Sequence, residues 1–276
     1  MSLPSISSLS ARQIMLYASC ALIVFTCLSM LLIASQSNLA LMLNIHANPV
    51  APDWFWAFFN VFGDAWVVLL LLLISERRPG KISSWAFKSW FIGAFLIQLI
   101  KFLMPMPRPA SVIELSQLSL IDHPPLVGGS MPSGHAFAAI SCALIFLVLM
   151  HTRNVNRLYF LPVAVVAMLA AWSRVAVGAH WPADVVAGVG LSFFVVSLAY
   201  VWDQKKSWAN FLIQPKGQTL LIVIHVLIAI HLITLPSDFL ITRFFQFLLA
   251  LISLIKSIDL LQEKFKFCLF NGKQKT

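Results

Sequence analysis

The stretch IMLYASCALIVFTCLSMLLIA, Ile14 to Ala34, runs for 21 residues without a charged side chain. A helix of about 20 largely apolar residues is long enough to cross the hydrocarbon core of a bilayer. The apolar region of a cleaved signal peptide is shorter, at about 7–15 residues. The stretch therefore predicts an uncleaved membrane span and places the chain among membrane proteins.

The rest of the chain repeats this pattern. Of its 276 residues, 60% are hydrophobic and only 11% are charged, against about a quarter charged in an average protein. Seven more apolar runs are predicted as spans: Trp54–Ser75, Ser89–Met104, Ser133–Met150, Leu158–Ser173, Ala183–Trp202, Thr219–Leu235 and Phe239–Ile255. The last is alternatively an amphipathic helix lying along the interface. The predicted fold class is all-α, a polytopic membrane helical bundle.

The basic residues are distributed unevenly between the two sides of this bundle. Fifteen of the 19 lysines and arginines lie in the terminal tails or in alternate gaps between the runs. By the positive-inside rule these gaps and both termini face the cytoplasm. The net charge of +9 is thus explained without a nucleic-acid partner. Four basic residues remain for the outer side: Lys101, Arg108, Arg174 and Arg243.

Two polar motifs follow each other at this outer face. The first, KFLMPMPRP, ends a predicted helix with Lys101 and places Arg108 seven residues later. Each alone is explained by snorkelling or by binding lipid headgroups. The second, GGSMPSGHAFA, places Ser133, Gly134 and His135 at the start of the next helix. Ser133 suits an N-cap, Gly134 permits close backbone approach, and the helix start favours an anion.

The third motif, SRVAVGAHWPAD, precedes the sixth predicted span. Pro182 suits the first helical turn, which places His180 just before the helix and Asp184 four residues later. An Asp beside a His fixes the imidazole tautomer and stabilises its positive charge. Dipole compensation is the simpler explanation for Asp184, but it does not account for His180 or Arg174.

Together the three motifs collect three cations, two histidines, one carboxylate and a helix start at one face. Arginine forks and a lysine bind phosphate oxygens, and backbone N–H groups complete the coordination. A neutral imidazole can attack phosphorus while a second one protonates the leaving oxygen. Because this face lacks an acidic cluster for Mg²⁺, the cations are expected to replace a metal, and no cofactor is predicted.

Lys101-x6-Arg108-Pro109, Pro132-Ser133-Gly134-His135 and Ser173-Arg174-x5-His180-x3-Asp184 resemble the three-part signature of the type 2 phosphatidic acid phosphatase family. The order and the spacings agree throughout. The resemblance implies a six-helix phosphatase core over residues 1–203, with its motifs within 101–184. Residues 204–276 form a predicted C-terminal extension with one or two further membrane or interfacial helices and a basic cytoplasmic tail.

The resemblance also implies a role for each residue. His180 is the expected nucleophile that forms a phosphohistidine, Asp184 orients it, and His135 is the expected general acid. The residues expected to hold the phosphoryl oxygens are Lys101, Arg108, Ser133, Gly134 and Arg174. Turnover then requires a neutral His180 and a protonated His135, and a bound phosphate anion favours the latter.

The function predicted is metal-independent dephosphorylation of a lipid phosphate or diphosphate at the outer face of a bacterial cytoplasmic membrane. The family implies undecaprenyl diphosphate, phosphatidylglycerophosphate, phosphatidate or the phosphate of lipid A as candidate substrates. A lipid-to-lipid phosphotransferase is equally compatible with the motifs. A lipid transporter or flippase fits less well, because transporter polar groups gather near the midplane. A soluble vanadium haloperoxidase shares such motifs but not the membrane spans.

Other polar residues lie within the predicted spans. Asp64 is a functional-site hypothesis by default as an intramembrane carboxylate, against a helix-packing hydrogen bond to Asn60. His225 and His231, six residues apart, are interpreted as packing or interfacial residues. The long outer loop Pro105–Met131 contains an apolar segment, interpreted either as lying on the membrane surface or as a solvated loop with buried anchors. The four cysteines show no paired spacing, so neither a disulfide nor a zinc site is expected.

Overall fold

The computed structural model describes residues 10–273, with side chains for residues 10–265. Within these residues the repetitive structure is helical, without strands, which confirms the predicted class. The α-helices are α1 (Ala11–Ala34), α2 (Ser37–Ala47), α3 (Asp53–Val61), α4 (Ala65–Ile74), α5 (Lys81–Leu103), α6 (Gly134–Thr152), α7 (Phe160–Ala176), α8 (Pro182–Lys205), α9 (Ala209–Leu212), α10 (Pro215–Thr234) and α11 (Leu240–Lys273).

Seven of these helices are long and apolar enough to cross a membrane, namely α1, α5, α6, α7, α8, α10 and α11. The pair α3 and α4 brings the total to eight if it counts as one bent span. Both helices of the predicted extension pass this test, α11 over Leu240–Phe265. The predicted eight apolar runs thus correspond to the observed helices, whereas α2 was not predicted.

The predicted span Trp54–Ser75 is not one continuous helix. The chain bends by 57° between α3 and α4, and Asp64 there is an N-cap that accepts hydrogen bonds from the backbone N–H groups of Trp66 and Val67. An added Cβ on Gly63 would stand 3.0 Å from the Cβ of His135. The break therefore brings the chain directly against the start of α6.

The start of α8 is held against its neighbours by short contacts. Ser133 N donates to Asp184 O at 2.9 Å, and an added Cβ on Gly188 would lie only 2.6 Å from Ser133 O. The hydroxyl of Ser29 in α1 donates to Ala183 O at 2.9 Å. Glycine permits the close approach between α6 and α8, which brings the starts of the two helices side by side.

The loop Pro105–Met131 connects α5 to α6 at the same end of the bundle. Its only regular structure is two short 3₁₀ turns. Ile113 and Leu118 are buried in the core, and Ile121 packs against α3 and the end of α7. Val112 and Leu115 are exposed. This burial supports the interpretation of a loop with buried anchors.

Helices α10 and α11, here called the C-terminal hairpin, pack against the bent pair. Their buried contacts with α3 and α4 involve Val61, Val67, Leu70, Ile228, Leu232 and Leu249. The predicted tail is helical as far as Lys273. The division of the chain at residue 203 stays a prediction.

A buried ion pair lies at the end of α8 opposite to Asp184. Helix α5 begins at Lys81, eight residues earlier than predicted, so Lys88 lies within a helix and not in a loop. Its Nζ donates to Asp203 Oδ1 at 2.5 Å, and both side chains are almost fully buried. The Ser84 hydroxyl donates to the same carboxylate oxygen. The pair thereby ties α5 to α8.

Replacing Lys88 by Met is expected to lower the free energy of unfolding by about 3–5 kcal/mol, because it leaves Asp203 buried without its cation. Arg78→Met is the control, since the Arg78–Glu263 pair is exposed and such pairs contribute at most about 1 kcal/mol. Unfolding in mixed micelles measures both. Replacing both Lys88 and Asp203 by apolar residues should recover much of the loss. Equal effects of Lys88→Met and Arg78→Met would contradict the assignment.

Candidate active site

The structure brings the three motifs together at one end of the bundle. Lys101 lies in the last turn of α5, and Arg174 lies in the last turn of α7. His135 is in the first turn of α6, whereas His180 and Asp184 bracket the start of α8. Arg108 reaches the same place from the long loop.

The His180 ring is buried and held from both of its nitrogen atoms. Nδ1 lies 3.3 Å from Asp184 Oδ2 and 3.4 Å from the Ser130 hydroxyl oxygen. Nε2 lies 3.4 Å from Nη1 of Arg108, which can only donate. The acceptors at Nδ1 and the donor at Nε2 favour the tautomer protonated on Nδ1. The lone pair of Nε2 then points toward Arg108.

Asp184 is engaged by more partners than the sequence indicated. Besides His180, its Oδ2 accepts hydrogen bonds from the Ser130 hydroxyl and from Trp181 N, the latter at 2.9 Å. Ser130 is fully buried, and its backbone N–H donates to Met106 O. Sequence reasoning missed Ser130, for which the only signal was a serine in the glycine-rich turn before Pro132.

The cations of the site are held by neutral groups. Lys101 Nζ donates to Gly129 O at 2.8 Å. Arg108 donates from Nη1 to Ala179 O at 2.7 Å and from Nε to Val127 O at 3.0 Å. Carbonyl oxygens orient these groups but leave their positive charge uncompensated.

Arg174 is held in the same manner from α3. Its Nη1 donates to the side-chain oxygen of Asn60, a partner that the sequence did not predict. Its Nε is buried without a partner among the described residues. Within residues 10–265, neither Arg174 nor Lys101 nor Arg108 forms an ion pair with a carboxylate. The three cations therefore form a site for an anion.

The start of α6 faces this site with an open helix end. Ser133 is the N-cap, and its hydroxyl accepts from Ala136 N at 3.3 Å. An added Cβ on Gly134 would meet no heavy atom within 4 Å. The first turn is thus uncovered at Gly134, so its free N–H groups favour an anion. No group of three His, Cys, Asp or Glu suited to a metal occurs among the described residues.

His135 borders two cavities. The larger, about 350 Å³, extends along α4, α5 and α6 from Gly134 and His135 down to Leu72 and Ile145, and its wall is largely apolar. The smaller, about 200 Å³, lies above Arg174 and is bordered by the loop around His123. The apolar cavity ends at His135, which also lines the cavity that contains Arg174, so the two together suit an apolar tail with an anionic head.

The predicted hydrogen bond between Asp64 and Asn60 is wrong. Asn60 accepts from Arg174, whereas Asp64 Oδ2 lies 3.0 Å from Nε2 of His231. His225 packs as predicted and contacts the hydroxyl of Ser253 in α11 at 3.0 Å. The two histidines of α10 therefore differ, since only His231 reaches the neighbourhood of His135.

The pKa of His180 is held well below 6.5, first by burial and then by the positive charges of Arg174, Arg108 and Lys101. Each of these effects penalises the imidazolium form. His180 is therefore neutral at pH 7, which is the form that can act as a nucleophile.

Comparison with known proteins finds two similarities, the first of which includes all three motifs. Residues 83–208 match the model of the PAP2 superfamily. An undecaprenyl-diphosphatase of Sulfolobus acidocaldarius is 29% identical over 154 residues, which cover 55% of this chain and 71% of that protein. No solved structure matches this chain significantly.

The substitution Arg108→Gln is expected to raise the pKa of His180, because it removes a positive charge next to Nε2. NMR of histidine-labelled protein in micelles over a pH series measures the shift, and the wild-type ring should become protonated only at acidic pH. Arg157→Gln, an exposed arginine before α7, is the matched control and should leave this titration unchanged. A wild-type His180 that titrates near 6.5 would contradict the electrostatic argument.

Proposed function

We propose that this chain, of which residues 83–208 match the model of the PAP2 superfamily, is a phosphatase that hydrolyses a lipid phosphate or diphosphate through a phosphohistidine. The observation that carries this proposal is the orientation of His180. Its Nδ1 faces Asp184, while its Nε2 faces Arg108, one of the three cations of the site. A phosphoryl group bound there lies in front of the nucleophilic nitrogen.

In the first step the lone pair of His180 Nε2 attacks phosphorus. The bond from phosphorus to the leaving oxygen breaks, and His135 protonates that oxygen as it departs. Asp184 stabilises the positive charge that develops on the His180 ring. Lys101, Arg108 and Arg174 stabilise the negative charge on the phosphoryl oxygens, together with the hydroxyl of Ser133 and the N–H group of Gly134.

In the second step water hydrolyses the phosphohistidine. His135, neutral after the first step, accepts a proton from the attacking water. The bond between Nε2 and phosphorus breaks, inorganic phosphate leaves, and both histidines return to their starting protonation states. The atoms and charges balance without a metal ion.

The larger cavity supports a lipid as the substrate. Its apolar wall begins at His135 and follows the helices into the hydrophobic part of the bundle, so a lipid tail fits beside α4, α5 and α6. The relative from Sulfolobus acidocaldarius is named as an undecaprenyl-diphosphatase. We therefore propose a polyprenyl diphosphate as the first substrate to test, alongside phosphatidylglycerophosphate, phosphatidate and lipid A.

We further propose that the site lies on the outer face of the cytoplasmic membrane and that both termini are cytoplasmic. The distribution of basic residues supports this orientation, because the clusters around Arg77 and Lys205 lie at the ends of helices away from His180. Sealed vesicles of either orientation should therefore differ in their access to added substrate.

Purified protein is expected to release phosphate from one of these lipids in the presence of EDTA, because the cations supply the charge stabilisation. His180→Ala should reduce the rate by about 10⁴-fold or more, as removal of a nucleophile does in other enzymes. His151→Ala, at the other end of α6, is the matched control and should remain active. Wild-type activity in His180→Ala would overturn the assignment of the nucleophile.

The same assay with a second lipid alcohol present distinguishes hydrolysis from phosphotransfer. A hydrolase releases inorganic phosphate at an unchanged rate, whereas a phosphotransferase converts the added alcohol to its phosphate. Bound lipid that is neither hydrolysed nor phosphorylated would instead support a transporter.

A further inference from the structure

Asp64 and His135 share the wall between the two cavities. Both residues line the apolar cavity and the smaller one above Arg174. The preceding residue, Gly63, is in close contact with His135, since an added Cβ would lie 3.2 Å from the ring carbon Cδ2. The break between α3 and α4 thus places a carboxylate beside the imidazole that is proposed to protonate the leaving group.

The Asp64 carboxylate is fixed by contacts on both of its oxygens. Oδ1 accepts from Trp66 N at 2.8 Å and from Val67 N at 3.2 Å, as an N-cap does. Oδ2 lies 3.0 Å from Nε2 of His231, whose ring packs beside Trp66 with ring centres 6.1 Å apart. His231 belongs to the C-terminal hairpin, outside the matched residues 83–208. The hairpin therefore reaches the edge of the candidate active site.

Capping alone does not account for an aspartate at this position. An N-cap needs one side-chain oxygen, and Asn or Ser would supply it about equally well. What Asp adds is a negative charge and a second oxygen, and the second oxygen meets His231. A charged group at this depth requires a partner or a function.

The negative charge of Asp64 acts on His135 in favour of its protonated form. Burial of the ring opposes that form most, and the positive charges of Arg174, His180 and Lys101 oppose it further. Asp184, the other carboxylate of the site, is engaged by Ser130, Trp181 and His180. Asp64 is thus the carboxylate placed to stabilise a protonated His135.

We propose that Asp64, held in place by His231 of the C-terminal hairpin, is a positioning residue that favours the protonated form of His135 when phosphate is bound, for transfer of its proton to the leaving oxygen. The proposal rests on the role of His135 in the proposed function. It assigns the hairpin a part in catalysis that lies outside the three motifs.

The choice of leaving group distinguishes a role of Asp64 in proton transfer from a purely structural role. An alkoxide needs a proton as it departs, whereas a nitrophenolate leaves readily without one. The quantity to measure is the ratio of kcat/KM for an alkyl phosphate to kcat/KM for nitrophenyl phosphate, in the same detergent. Loss of folding lowers both rates together and leaves the ratio unchanged.

In Asp64→Asn the cap remains and the charge is lost, so the ratio is expected to fall by about 10- to 100-fold, the lower range for general acid catalysis. His231→Leu should lower the ratio in the same direction. His231→Gln, which keeps a donor for Asp64, should restore it to within about threefold of the wild type.

His225 supplies the matched controls, because it lies in the same helix and its ring contacts Ser253 instead. His225→Leu and His225→Gln should leave the ratio unchanged. An unchanged ratio in Asp64→Asn, or an equal fall in His225→Leu, would overturn the proposal. His180→Ala separates this failure from failure of the proposed function, since that variant should lose both activities whatever the role of Asp64.

Discussion

The hydrogen bond from Ser133 N to Asp184 O joins the starts of α6 and α8, and the rest of the site depends on it. The contact is possible because Gly188 has no side chain where the backbone of Ser133 passes. One helix start carries His135 and the other carries Asp184, with His180 just before it. A side chain at position 188 would force the helices apart and separate the two histidines. A single close contact between backbones therefore sets the distance between the nucleophile and the proton donor.

The same site concentrates three cations, none of which forms an ion pair with a carboxylate among the described residues. Lys101, Arg108 and Arg174 are oriented by carbonyl and amide oxygens, which fix their positions without cancelling their charge. Mutual repulsion makes this arrangement costly without a ligand. A phosphate removes part of that repulsion when it binds. The repulsion that destabilises the unliganded site therefore increases its affinity for an anion.

Much of this arrangement could be predicted from the sequence. The apolar runs and the distribution of basic residues indicated the helices, and the motif spacings placed eight candidate residues at one face. These patterns can be predicted because they depend on neighbouring residues or on the order of residues along the chain. The close approach of α6 and α8 could not be predicted, because it depends on which helices become neighbours.

The errors have the same origin. Trp54–Ser75 has the composition of one span, but its helix is broken where Gly63 packs against His135 of another element. Lys88 looked like a loop residue, because its partner Asp203 lies 115 residues away. Ser130, Asn60 and His231 were missed or interpreted as packing residues because their partners lie on other elements. Contacts distant in sequence leave no periodic signal.

The positions of the two cavities have a consequence for what happens after the proposed reaction. The apolar cavity runs along the helices into the region of the hydrocarbon core, whereas the smaller one borders the loop that contains His123. A dephosphorylated lipid and inorganic phosphate would thus separate into different phases, oil and water, as soon as they form. The reverse reaction would then require the lipid to return from the bilayer and the phosphate to return from water to the same site. Such partitioning would oppose the reverse of the proposed reaction.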